Sequence, residues 1–220
     1  MKYNIFPTIT TCPNFSWKHK LQEVKCLGLT EVSVFPTFIG LAERKRLYKE
    51  LDKSNIKWVP HVHVRSDFEV WEFEFFWKRF KTRSFNTHED FIFQLKKWYK
   101  YRYNLYVEFD YEGAVTQKAD LKLVAGLCVD LSHLWSAKAR GRKEFNVQNE
   151  YATKHGVGCN HLNGFARHLT RDMHYVRDKH NFDYLKEISK KFFGKIISLE
   201  LNNSIEKQLE YKKYIEKILK

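Results

Sequence analysis

Six short apolar runs of this 220-residue chain each end in side chains that can bind a metal. His61 lies in VPHV, His88 ends SFNTH and Glu108 ends LYVE. Asp130 and His133 close LCVDLSH, His161 closes GCNH and Glu200 closes IISLE. Neutral imidazole and carboxylate are the ligands that hold zinc, iron or manganese. Parallel barrels gather their chemistry at the carboxyl ends of their strands. A scattered set of ligands at such ends therefore points to one metal site and to an enzyme.

The local spacings carry the same chemistry. Asp130 ends a strand and His133 follows three residues on, where the chain turns, so both can face one cavity. His61 and His63 are two apart on a strand and share a face. His61 is expected to be the ligand and His63 to support it. Glu108 and Glu200 end hydrophobic strands, and a buried carboxylate without a partner is costly. The long segment after His161 offers Asp172 and His174, with Asp178 and His180 as the competing pair. Arg140, Arg142, Arg167 and Arg171 lie in the segments after these strands and are expected to hold a phosphate group.

Elements must position these groups. Eight strand candidates run YNIFPTI, EVSVFPT, KWVPHVHV, RSFNTH, LYVEFD, GLCVDLSH, VGCNHLNG and KIISLELN. They are short apolar runs without strict alternation, as in strands buried on both faces. Helical periodicity appears over 16–28, 41–54, 88–101, 182–194 and 204–219. The least regular stretches, 136–155 and 165–181, follow ligand-bearing strands and should sit above the site. Alternation from end to end gives a closed (β/α)8 barrel or an open doubly wound sheet. An open sheet would place its ligands at one switch point. Ligands from six strands favour the barrel, a single TIM-barrel domain over 1–220.

Composition narrows the partners. The formal net charge is +13, which fits a polyanion or a Lys-rich solvated surface. Four cysteines without a C-x-x-C pair suggest small buried hydrophobes in a reducing compartment. No apolar run approaches the ~18 residues of a membrane span, and no leader is apparent at the N-terminus. A cytoplasmic protein with no membrane partner is expected. P-loop, G-x-G-x-x-G, G-x-S-x-G and H-E-x-x-H motifs are absent.

Taken in order, His61, His88, Glu108, Asp130, His133, His161, Asp172, His174 and Glu200 resemble the metal ligands of the endonuclease IV family of xylose isomerase-like TIM barrels. Pro60-His61, the D-x-x-H, His161-Leu162-Asn163, the D-x-H pair and the E-x-x-N from Glu200 to Asn203 look like that family's motifs. The chain departs from it in being short, in His88-Glu89-Asp90 where the family has His-Pro-Gly, and in Gly164 where an aspartate is usual. The resemblance implies up to three zinc ions and a hydrolase that cuts DNA at abasic sites, with Glu108 and Glu200 bridging metals. Isomerases and epimerases of the same superfamily share only part of the set, here Glu108, Asp130, His161 and Glu200 around one Mn or Mg. That alternative implies a small sugar or sugar phosphate as substrate, with Glu108 and Glu200 as the acid/base pair.

Overall fold

The computed structural model describes residues 3–109 and 121–220; Asp110, the last residue of LYVEFD, lies outside the described residues. The first expected strand forms as two segments, β1 (Asn4–Phe6) and β2 (Thr8–Thr10), separated by Pro7. Proline has no N–H to donate to a ladder, but its carbonyl accepts the amide of Ser33 at 3.0 Å. β1 pairs with β11 (Ile196–Leu199), while β2 pairs with β3 (Ser33–Phe35). One stretch of chain thus meets both ends of the sheet.

Between those ends lie β4 (His61–His63), β5 (Ser84–His88), β6 (Leu105–Glu108), β7 (Gly126–Asp130) and β8 (Val157–Leu162). The order is β1-β11-β8-β7-β6-β5-β4-β3-β2, all parallel. The result is a nearly closed parallel α/β barrel with helices around it. After β8 the chain makes a separate antiparallel hairpin, β9 (Gly164–Ala166) and β10 (Arg171–Met173).

The outer layer follows amphipathic periodicity where that was legible. α1 (Trp17–Cys26) starts at the N-cap Ser16, and Gly28 beyond its end has φ of 64°. α2 (Leu41–Asp52) and α7 (Ile205–Ile218) also form as expected, the latter capped by the Ser204 side chain. α3 (Val70–Phe80) was not expected. Its sequence, VWEFEFFWKRF, alternates in part like a strand, yet Phe73, Phe76 and Phe80 are fully buried along one stripe. Burying each such ring is worth ~1.5–3 kcal/mol, which outweighs the local pattern.

Three expectations are corrected. The segment 182–194 is not an α-helix but two 3-10 stretches, Lys179–Glu187 and Lys190–Phe192. Phe182, Leu185 and Ile188 are buried at every third position, the spacing of the tighter turn. The segment 88–101 likewise becomes a 3-10 stretch, one turn of helix, α4 (Leu95–Trp98), and a second 3-10 stretch. Conversely 136–155, expected to be irregular, holds the end of α5 (Leu131–Ala139) and all of α6 (Lys143–His155). The buried stripe of α6 is Glu144, Gln148 and Ala152, so a mostly polar inner face concealed the helix.

Tyr106, half-buried two residues before Glu108 on β6, lays its ring against Gly158 of β8. A Cβ at Gly158 would lie 2.0 Å from the Tyr106 ring, so only glycine lets this ring occupy the space. Gly158 is also where the β7–β8 register shifts, between the pairs Leu127↔Val157 and Cys128↔Cys159.

Candidate metal centre

The register explains how side chains from distant parts of the chain converge. His88 pairs with Glu108 across β5 and β6, Asp130 with His161 across β7 and β8, and His161 with Ser198 across β8 and β11. Glu200 follows the end of β11, and its amide is held by the Leu162 carbonyl at 3.0 Å. Residues at one level of a barrel that share a facing direction form a layer, and here that layer lies at the carboxyl ends of the strands.

Glu108 is buried at its centre. Its Oε2 lies 3.2 Å from His63 Nε2 and accepts the Asn86 amide at 2.9 Å, while Oε1 lies 3.3 Å from His161 Nδ1. The same His161 nitrogen is 3.4 Å from Glu200 Oε2. Two carboxylates from opposite parts of the sequence therefore flank one imidazole.

Asp130 shows why the D-x-x-H spacing works. It is the N-cap of α5, and its Oδ1 accepts the amides of Ser132 (2.8 Å) and His133 (2.9 Å). The cap leaves Oδ2 facing the cavity, where it accepts the Asn163 amide at 2.9 Å and lies 3.7 Å from His133 Nε2. The cap thus aims the carboxylate and the histidine together.

A further cluster adjoins it. Asp172 Oδ2 lies 3.2 Å from His174 Nε2 and 3.7 Å from His133 Nε2. His174 Nδ1 is 3.1 Å from the Glu200 carbonyl, which ties the hairpin to the last strand. The competing pair is elsewhere: Asp178 caps a 3-10 stretch, and His180 is an exposed partner of Asp183 and Tyr214.

The two strand histidines sit differently from the expectation. His63 is the one beside Glu108, and its ring centroid is 5.0 Å from that of His88. His61, expected to be the ligand, lies one step deeper, with Nδ1 3.0 Å from Ser198 Oγ. Both share a face, but only the depth of the strand in the barrel determines which reaches the mouth. Among the described residues, groups with ligand atoms within 4.8 Å of one another include His63, Glu108 and His161; Glu108, Asp130 and His133; Asp130, His161 and Glu200; and His133, Asp172 and His174. His88 stands at the edge of these groups, against His63 and Phe91.

Electrostatics show what such a cluster demands. Burial pushes Glu108 up, but His161, His88 and His63 overcome it and hold the carboxyl well below its ordinary range. Glu200 is lowered in the same way by His161 and His174. Burial alone would lower the histidines, yet Asp130 and Asp172 raise His133 to about 10. Glu108 and Glu200 raise His161 to about 9, and Asp172 with Glu200 raises His174 to about 9. Burial dominates at His63, which falls to about 4. The cluster is a concentration of anionic charge that calls for cations.

Polar atoms left unpartnered make the same point. His63 Nδ1, both ring nitrogens of His161 and Asn163 Oδ1 are buried and make no hydrogen bond. Buried polar groups are normally paired. Imidazole nitrogens with unmet valences beside buried carboxylates fit a divalent cation.

Asn163, part of the His161-Leu162-Asn163 motif, orients Asp130. Two further contributors gave no motif-level signal. Asn86 orients Glu108. Lys20 of α1 is buried, with Nζ 2.6 Å from Thr10 Oγ1 and 2.5 Å from the Leu201 carbonyl. Its burial pulls the ammonium down to about 8, against the fields of Cys12, Glu23 and Glu200. On a helix that reads as ordinary and amphipathic, nothing marks Lys20 as an inward residue.

The four expected phosphate-binding arginines lie around the β9–β10 hairpin or on α5 and α6. Arg140 Nε donates to the Thr170 carbonyl at 3.0 Å, and Arg167 is paired with Glu187 at 2.6 Å. Arg142 is the N-cap of α6, and Arg171 is exposed on β10. A cavity of about 360 Å³ opens beside the mouth, lined in part by Phe38, His63, Arg65, His88 and Phe91. No helix among the described residues is long and apolar enough to cross a membrane.

No family model matches the chain, and no curated protein does. Among solved structures, the apo form of 3-keto-D-glucoside 4-epimerase YcjR from E. coli is similar, with a TM-score of 0.48 and 10% identity over 98% of this chain and 100% of that one.

Proposed function

We propose that this chain is a divalent-metal-dependent isomerase or epimerase acting on a small sugar or sugar phosphate. One observation carries the reading: Glu108 and Glu200 flank the same His161 nitrogen at 3.3 and 3.4 Å. Asp130 completes the set, and a half-open cavity lies beside it, reached through His63 and His88. We read β1 and β2 as one strand bent at Pro7, which makes the barrel an eight-stranded (β/α)8 barrel of the xylose isomerase-like kind.

Glu108, Asp130, His161 and Glu200 would hold one Mn or Mg ion. Such an ion polarises a carbonyl or hydroxyl oxygen of the substrate. Glu108 and Glu200 are held ionised by their histidines, so either can accept a proton from the carbon beside that carbonyl. Asn86 fixes the orientation of Glu108, and Asn163 that of Asp130. Phe38 and Phe91 give the cavity aromatic surface for the apolar face of a sugar ring. The size of the cavity suits a monosaccharide, and two of the four expected phosphate-binding arginines are engaged in internal contacts.

The cluster of His133, Asp172 and His174 favours a second reading. It lies outside the one-metal set and would hold a further ion. With His63, His88 and Glu108 around another, the mouth would hold up to three zinc ions. That is the arrangement of a phosphodiesterase resembling endonuclease IV, acting on abasic-site DNA. His63 rather than His61 would then complete the set.

Solvent-deuterium exchange separates the readings. Protein loaded with Mn or Mg is incubated with a panel of ketoses and ketose phosphates in D2O and followed by NMR. Exchange at the carbon beside the carbonyl is expected, and replacing both Asp172 and His174 by Ala leaves the metal content unchanged. Incision of an abasic-site duplex without exchange, and loss of about one ion in the double variant, overturns the isomerase reading in favour of the second.

A further inference from the structure

Below the carboxylate layer, the barrel interior holds a second set of ligands of a different chemical kind. Cys128 and Cys159 pair across β7 and β8, two residues before Asp130 and His161 on the same faces. Both thiols are buried and free. The ligand atoms of His61, Cys128 and His161 lie within 4.8 Å of one another. The Cys159 thiol interacts with both Cys128 and His61.

The histidines are oriented as metal ligands are. His61 is wholly buried; its Nδ1 is held by Ser198 Oγ at 3.0 Å, which is in turn 2.8 Å from Ser33 Oγ. Its Nε2 has no hydrogen-bond partner. In His161 the Nδ1 faces Glu108 and Glu200, and Nε2 again has no partner. In His61, a ring nitrogen anchored by a hydroxyl with the other left open is the usual outer-shell arrangement of a ligating histidine. A packing role alone would leave two buried imidazole nitrogens unmet beside two thiols.

We propose that Cys128, Cys159, His61 and Nε2 of His161 form a buried structural zinc site beneath the mouth. Two thiolates and two imidazoles are a tetrahedral zinc set; with the mouth ion also held at Nδ1 of His161, that ring would bridge the two metals as an imidazolate, its ring proton released to solvent. Ligand atoms of such a site are ~3.3–3.8 Å apart, given bonds of about 2.0–2.3 Å; those of His61, Cys128 and His161 lie within 4.8 Å of one another, and the Cys159 thiol, beside Cys128 and His61, would turn in as the fourth ligand. On binding, each cysteine releases its thiol proton to solvent and forms a sulfur–zinc bond; no electrons are exchanged. The site needs no particular activity at the mouth and shares with it only the His161 ring.

The test uses full-length protein purified under reducing conditions, stripped with a chelator and reloaded with Zn²⁺ or Co²⁺ alone. Co²⁺ should give a thiolate-to-metal charge-transfer band in wild type and in Glu108→Gln. Cys128→Ser with Cys159→Ser should abolish the band and lower tightly bound zinc by one equivalent. An alkylation assay on wild type needs no variant: zinc should protect two of the four cysteines, identified by mass spectrometry. The proposal is overturned if reduced wild type shows no such band, if zinc protects neither Cys128 nor Cys159, or if the two are found as a disulfide. Failure of the sugar assays leaves these readouts untouched, so the two proposals fail separately.

Discussion

Two regions of this protein bury charge, and they do so in opposite ways. Between α2 and α3, Arg44 and Glu72 are fully buried and fully bonded. Arg44 Nε donates to Glu72 at 2.7 Å, its Nη2 donates to the other Glu72 oxygen at 2.9 Å, and its Nη1 reaches Asp67 at 3.0 Å. Tyr48 and the Glu69 amide complete the coordination of Glu72 at 2.7 and 3.0 Å. At the barrel mouth, Glu108, Asp130, Asp172 and Glu200 crowd together with His63 and His161, which carry ring nitrogens that make no hydrogen bond. The first cluster carries its own counter-charge in a planar, bidentate form. The second leaves valences open for something the chain does not supply. Charge satisfied from within marks structure, and charge left open in a concave site marks a place for a ligand.

Substitutions on the two sides should break this contrast cleanly. The largest effect is expected for Glu108→Ala, which removes the group at the centre of the mouth. It should lose the mouth metal, measured by elemental analysis, and lower any turnover by ~10²–10⁴-fold, the range for a positioned acid/base group. A folded variant with full metal content would show that Glu108 is no ligand.

Arg44→Met should do the reverse. Leaving Glu72 buried and unpaired costs ~3–5 kcal/mol, read as a lower denaturation midpoint. Metal stoichiometry of the folded fraction should be unchanged. Parallel loss of metal and stability would show that the two regions are coupled.

Acidity sharpens the comparison further. His133, His161 and His174 are raised to about 10, 9 and 9 from 6.5 in the metal-free protein. A base whose folded pKa is raised adds stability that is fully present below pH 6.5 and is lost as pH rises through the folded value. Metal-free protein should therefore become less stable between pH 6.5 and about 10. Metal-loaded protein should show a flatter profile over that window, because cations replace the protons. Denaturant titrations at several pH values, with and without metal, measure both.

The smallest change is expected for Asn163→Ala. Asn163 donates to Asp130 at 2.9 Å and its carbonyl accepts from Tyr184 at 2.9 Å. Removing its side chain should weaken metal affinity by ~10–100-fold, as for other groups that orient ligands, with little change in fold. Isothermal titration with Mn²⁺ gives the value.

The kinds of side chain gathered at the mouth were legible because chemistry restricts which residues can bind a metal. Histidines and carboxylates closing apolar runs stand out, and most of those runs do become barrel strands ending at one mouth. The D-x-x-H motif was legible too, since an N-cap and its N3 residue are fixed locally. What lay beyond local pattern was depth. His61 and His63 share a face and a motif, and only the packed barrel brings His63 to 3.2 Å from Glu108 while His61 meets Ser198 beneath it. Lys20 and the inward polar stripe of α6 were hidden for a related reason, because burial of a polar residue depends on partners contributed from elsewhere.

The chain by itself thus determined the alternation of strands and helices and the kinds of atom offered to a metal, since both follow from periodicity and side-chain chemistry. Tertiary structure alone decided which atoms meet. Residues as far apart as Glu108 and Glu200, or Cys128 and His61, come together only through strand order and register. A shift of two residues along one strand would preserve every local pattern while exchanging the layer at the mouth for the layer below it.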